Sequence, residues 1–136
     1  MADAPPAPSP VAIYLFPKGG RATEAIALYK AAFNAEVVNH MPAEDGKRVM
    51  HAHLRVNGGS VMLSDEFPEM PRSHVRDMGG FTIHLQVDDA DAWQQRAAAA
   101  GCTISSPVEE QFWGERYGSL RDPFGVDWSL ASPSKK

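Results

Sequence analysis

A chain of 136 residues with a formal net charge of -4 is sized for one domain, and its single cysteine rules out an internal disulfide. Its thirteen lysines and arginines are scattered rather than clustered, which argues against a nucleic-acid surface. No run approaches the roughly 20 apolar residues of a membrane helix.

Four of the first ten residues, "MADAPPAPSP", are proline, and the start lacks the basic and apolar regions of a secretory signal. Residues 1–10 are expected to be a disordered tail, and 132–136 another. With its lone Cys102 the chain is expected to be cytoplasmic. That cysteine follows the glycine of a predicted helix stop and reads as a packed thiol rather than a nucleophile.

"VAIYLF" at 11–16 is the first predicted strand. In "RATEAIALYKAAF", Ile26, Tyr29 and Phe33 recur at helical spacing, and Asn34 is placed to end the helix. "AEVVNHM", "RVMHAHLRV" and "SVMLSD" follow as strands, the last two joined through Asn57-Gly58, a pair suited to a tight hairpin. His51 and His53 are two apart in a strand, so both imidazoles face one side.

The order then repeats. "GGFTIHLQV" at 79–87 is a strand, and Asp88 or Asp89 caps a helix whose apolar side is Trp93, Ala97 and Ala100, released by Gly101. "CTISS", "RYGSLRD" and "VDWSLAS" are strands, with "DPFG" turning between the last two. The halves superpose at an offset of about 66 to 68 residues, a diverged duplication. The expected domain spans 11–131 as modules 11–65 and 79–131 joined by loop 66–78. "EFPEMPRSHVRDMG" at 66–79 is either a plain linker or a lid, and "SPVEEQFWGE" at 106–115 is a second lid candidate.

"FWGERYGSLRDPFGVDWSL", together with "EAIALYKAAFNAE", "MHAHLRVNGGSVMLSDE" and "IHLQVDDADAW", closely resembles the vicinal oxygen chelate superfamily. That superfamily includes glyoxalase I, bleomycin and fosfomycin resistance proteins and extradiol dioxygenases, and the match is particularly to its PhnB-like branch. The resemblance implies an α+β fold: paired βαβββ modules forming a curved, partly open barrel-like sheet around a pocket, with homodimerisation. Metal-dependent members place four ligands on inward strand positions. Those positions fall here on Tyr14, His53, Thr82 and Ser129, of which only His53 is a strong ligand. A divalent ion wants imidazoles and carboxylates, so no tightly bound metal and no cofactor are expected. A shifted set of His53, His84 and Asp127 or Tyr14 is the alternative.

His51 and His53 read as pocket-wall or sheet-face residues, and His40 and His74 as solvated. His84 lies inside an apolar alternation and needs a partner: a ligand, a water or Tyr14. Trp113, Glu115, Arg116 and Tyr117 cluster at the expected cavity edge. An aromatic there would stack on a ligand and an arginine would read a carboxylate, with a dimer contact as the other role for Trp113. Glu115 serves as a general base only if dehydrated. Arg121 is expected to hold the turn through Asp122 or Asp127.

Three functions follow. The first is a protein that binds a small organic molecule in the cavity without tightly held metal, with Tyr14, His51, His53, Thr82, His84, Trp113, Glu115, Tyr117 and Ser129 as pocket residues. The second is a metal-dependent lyase, isomerase or dioxygenase. The third is a dimeric interaction module whose cavity is packed shut by Phe16, Trp113 and Trp128. No glycine-rich nucleotide loop supports methyl transfer, and no catalytic residue is assigned.

Overall fold

The computed structural model describes residues 6–70 and 77–135. Residues 71–76 of the central loop, His74 among them, the first five residues and Lys136 lie outside that range. Ten elements follow in order: β1 (Ile13–Leu15), α1 (Ala22–Phe33), β2 (Glu36–Pro42), β3 (Val49–Val56), β4 (Gly59–Leu63), β5 (Thr82–Gln86), α2 (Ala90–Ala100), β6 (Thr103–Glu110), β7 (Glu115–Arg121) and β8 (Asp127–Pro133). They build two open, four-stranded mixed sheets, β1-β4-β3-β2 and β5-β8-β7-β6, each with the βαβββ chain order. The α+β class and the duplicated module are therefore both present. The chain divides into two compact units, the first holding the β1–β4 sheet and the second the β5–β8 sheet together with Ala31–Phe33. Among the described residues no helix is long and apolar enough to cross a membrane.

Local chemistry sets the element ends. Asn34 closes α1 at φ 55° and ψ 36°, a left-handed conformation that asparagine tolerates. Asn57 and Gly58 have φ of 50° and 82°, which the two-residue hairpin between β3 and β4 requires. The Asp89 carboxylate accepts from the Ala92 amide at 3.1 Å and caps α2. Helix α1 has no such cap from its own first turn. Instead the Ala22 amide donates to Asp65 Oδ1 at 2.9 Å, and the other oxygen accepts from Val49 at 2.7 Å. In the second unit Ala90 donates to Ser132 Oγ at 3.0 Å. One residue just past β4 and one near the end of β8 thus tie down the helix start in each unit, at the offset the duplication predicts.

Each sheet has a buried apolar face. In the first, Leu15, Ala52, Leu54, Val56, Val61 and Leu63 are buried. In the second, Trp128 is fully buried, packs at a tilt against Phe33 with centroids 4.3 Å apart and donates its indole N–H to Asp122 at 2.9 Å. Trp128 therefore belongs to the core and does not pack a cavity shut. Two further expectations are corrected. The buried residues of α2 are Ala90, Gln94 and Ala97, while Trp93 is only partly buried, with the Arg96 guanidinium 4.5 Å over its ring. Gln94 displaces it because β6 slips register against β7, freeing backbone groups: its amide donates to Ser106 and Ser119 carbonyls and accepts from Val108. Gly118 leaves room for this, since a Cβ there would lie 2.7 Å from Val108 and 2.8 Å from the Gln94 amide. The second lid candidate is also shorter than expected, because β6 continues through Glu110.

Candidate functional site

The face of each sheet opposite its apolar side is polar, and every candidate site residue lies on one of these two faces or at its rim. Along β3 the alternation places Ala52, Leu54 and Val56 inward and His51, His53 and Arg55 on the polar face. Strand pairing sets Tyr14 beside Met62, Met62 beside His53, and His53 beside Asn39, one row across the first sheet. The Tyr14 hydroxyl lies 2.8 Å from His51 Nδ1, and its ring stacks on Phe16 at 5.0 Å. Burial pushes the Tyr14 phenol above its ordinary range. His53 is 2% exposed, with Nε2 2.9 Å from Ser60 Oγ. Its imidazole is held below the ordinary range, first by burial and then by the charges of Arg55 and His51.

The matching row of the second sheet is His84, Ser129, Ser119 and Ser106. Ser129 is buried, and its hydroxyl lies 2.7 Å from His84 Nδ1. The other ring nitrogen of His84 is 3.0 Å from Gln86 Oε1; the Gln86 amide donates to Glu115 Oε2 at 2.6 Å; and Trp113 donates to Glu115 Oε1 at 3.0 Å. This chain assigns its own protons. A carboxylate only accepts, so Gln86 turns its nitrogen to Glu115 and its oxygen to His84. His84 then carries its proton on Nε2, and Nδ1 accepts the Ser129 hydroxyl. Tyr117 lies parallel to His84 at 6.3 Å and edge-on to Trp113 at 6.2 Å, and Trp113 is half-exposed.

His84 thus finds its partners in Ser129 and Gln86, while Tyr14 pairs with His51. Thr82 is exposed and pairs with Asp127, two residues along from Ser129. Asp127 is held in two bonds by Arg121, at 2.9 and 3.2 Å, which keeps its carboxyl below the usual range. Arg116 makes a two-bond pair with Asp91 of α2 at 2.7 and 2.9 Å. Cys102 is buried and its thiol is pushed up to about 11, so it is inert near neutrality. Sequence reasoning missed Gln86, the link between His84 and Glu115. Its place two residues after His84 on one strand was the available signal.

A separate pocket of about 160 Å³ lies at the start of the long loop, over Met50, Phe67 and Met70. It is below the roughly 300 Å³ of an ordinary ligand cleft. Its arginine, Arg48, is already bound to Asp45 at 2.7 Å and Glu69 at 2.7 Å and lies 4.2 Å over the Phe67 ring, an arrangement that anchors the loop's first turn.

The family model for the glyoxalase/bleomycin resistance protein/dioxygenase superfamily matches residues 19–130. The chain belongs to that superfamily. It is 45% identical over 124 residues to the Mycobacterium tuberculosis protein Rv0887c, covering 85% of this chain and 70% of that one. It is 30% identical over 133 residues to protein YjdN of Escherichia coli, covering 82% and 87%. Among solved structures, protein PA1353 of Pseudomonas aeruginosa aligns at a TM-score of 0.72 with 27% identity, covering 92% and 98%.

Metal-dependent members of the superfamily need a charged donor set, and the residues present do not fit one. Neither row contains a carboxylate. Tyr14, His53 and Ser129 are each committed to a protein partner, and Asp127 is neutralised by Arg121. Among the described residues no three His, Cys, Asp or Glu side chains converge. Of the shifted set, His84 is bonded to Ser129 and Gln86, and Asp127 to Arg121.

Proposed function

We propose that the chain binds a small organic molecule on the polar face of its second sheet, against Trp113 and Tyr117, without a tightly held metal. The observation that carries this reading is the connected chain Ser129–His84–Gln86–Glu115–Trp113. Four polar side chains locked together fix the rotamers of the residues that would meet a ligand, and the chain ends on an exposed indole able to stack on a planar group. With Arg116 committed to Asp91 and Glu115 on this face, the site favours a neutral or cationic planar molecule over a carboxylate. Placement in the PhnB-like branch, homodimerisation and a cytoplasmic location belong to the same reading.

The test is ligand-observed NMR with planar neutral, cationic and carboxylate-bearing fragments, on the protein and on Trp113→Ala. Neutral or cationic fragments are expected to bind, with affinity falling roughly five- to tenfold in the variant. Binding that is indifferent to Trp113 overturns the site. Near-stoichiometric metal by elemental analysis that is lost in His53→Ala overturns the metal-free reading and favours lyase, isomerase or dioxygenase chemistry.

A further inference from the structure

The first sheet's polar face is not left open. Residues 6–10 form no regular element, yet they are tied to the start of β4: the Ser9 amide donates to Ser60 Oγ at 2.9 Å, and the Ser9 hydroxyl lies 3.2 Å from the same oxygen. Ser60 is the hub, because His53 Nε2 is 2.9 Å away on its other side. The His53 ring also donates a hydrogen bond to the backbone of Pro6. Proline has no N–H, so the Pro6 carbonyl accepts, and with Nε2 taken the ring donates from Nδ1. Nε2 is then a lone pair and receives the Ser60 O–H, leaving the Ser60 oxygen to accept from Ser9. Every donor in this set meets an acceptor.

We propose that His53 and Ser60 form a binding site for an extended proline-rich peptide, and that the chain's own Pro6–Ser9 segment is its resident occupant. His53 and Ser60 address backbone groups of the segment three residues apart, a carbonyl and an amide, which is the pattern any extended peptide presents. Prolines at 6, 8 and 10 hold the segment near its extended form, so less chain entropy is lost on docking. Tethering supplies an effective concentration on the order of millimolar, which a free peptide must exceed. The site lies on the first sheet and does not depend on the ligand reading of the second.

The experiment uses the full chain, its variants Ser9→Pro and Ser60→Ala, and the capped peptide acetyl-Pro-Ala-Pro-Ser-Pro-amide as probe. Ser9→Pro removes the amide donor and the hydroxyl outside every strand and helix. In the unmodified protein the Ser9 amide is expected to exchange at least about tenfold more slowly than in the free peptide, with Ser60 resonances unmoved by millimolar probe. In Ser9→Pro the Ser60 and His53 resonances shift, and the probe returns them toward their original positions. Ser60→Ala frees the segment equally and gives no such response to the probe. An unprotected Ser9 amide, unmoved Ser60 and His53 resonances in Ser9→Pro, or a freed site that ignores the probe each overturns the proposal.

Discussion

The two sheets share one framework and use it differently. Across the first, the polar row is Tyr14, Met62, His53 and Asn39; across the second it is His84, Ser129, Ser119 and Ser106. In the first, His53 and Ser60 turn to a segment of the chain itself, and Tyr14 closes on His51. In the second, the side chains bond to one another along the face and end at an exposed indole. The helix ties correspond between the two units, while the polar faces carry different residues with different partners.

The largest effect that can break this comparison lies in the helix ties. Asp65 satisfies two buried amides and Ser132 one, so Asp65→Ala should cost roughly 2–4 kcal/mol and Ser132→Ala about 1 kcal/mol, read from urea midpoints. Equal losses would mean that the two ties are equivalent after all. A smaller effect separates the faces by pH. The His53 imidazole is held below its ordinary 6.5. Its stabilising share is therefore fully present above pH 6.5, where both states are neutral. It drains as pH falls and the unfolded chain takes the proton first. Urea midpoints from pH 7.5 down to 5 should fall more steeply for the unmodified protein than for His53→Gln, and parallel curves would contradict the assignment. The smallest effect is expected at the second sheet's rim. Arg121→Ala removes an ion pair whose arginine side chain is 62% exposed, and should leave the urea midpoint almost unmoved.

Much of this architecture is legible along the chain. Alternation in "MHAHLRV" separates His51 and His53 from Ala52 and Leu54, the Asn34 and Asn57-Gly58 signals mark the element ends, and the repeat offset pairs the two modules. The departures have a common cause. Trp93 has the apolar spacing of a core residue, yet Gln94 takes the buried place because a register slip in β6, invisible to periodicity, exposes backbone groups that only an amide satisfies. The lid expected at 106–115 loses its first half to the same irregular strand.

The sequence by itself determined the duplicated βαβββ pattern, the α+β class and the superfamily, since these rest on local propensity and on motifs contiguous in the chain. Only the tertiary structure decided who partners whom. That Tyr14 meets His51, that His84 meets Ser129 and Gln86, that Arg116 is spent on Asp91 and that Ser9 reaches Ser60 across fifty-one residues all depend on strand register and chain path. A hydrogen bond acts over about 3 Å, and no spacing along the chain states which distant groups are brought within it.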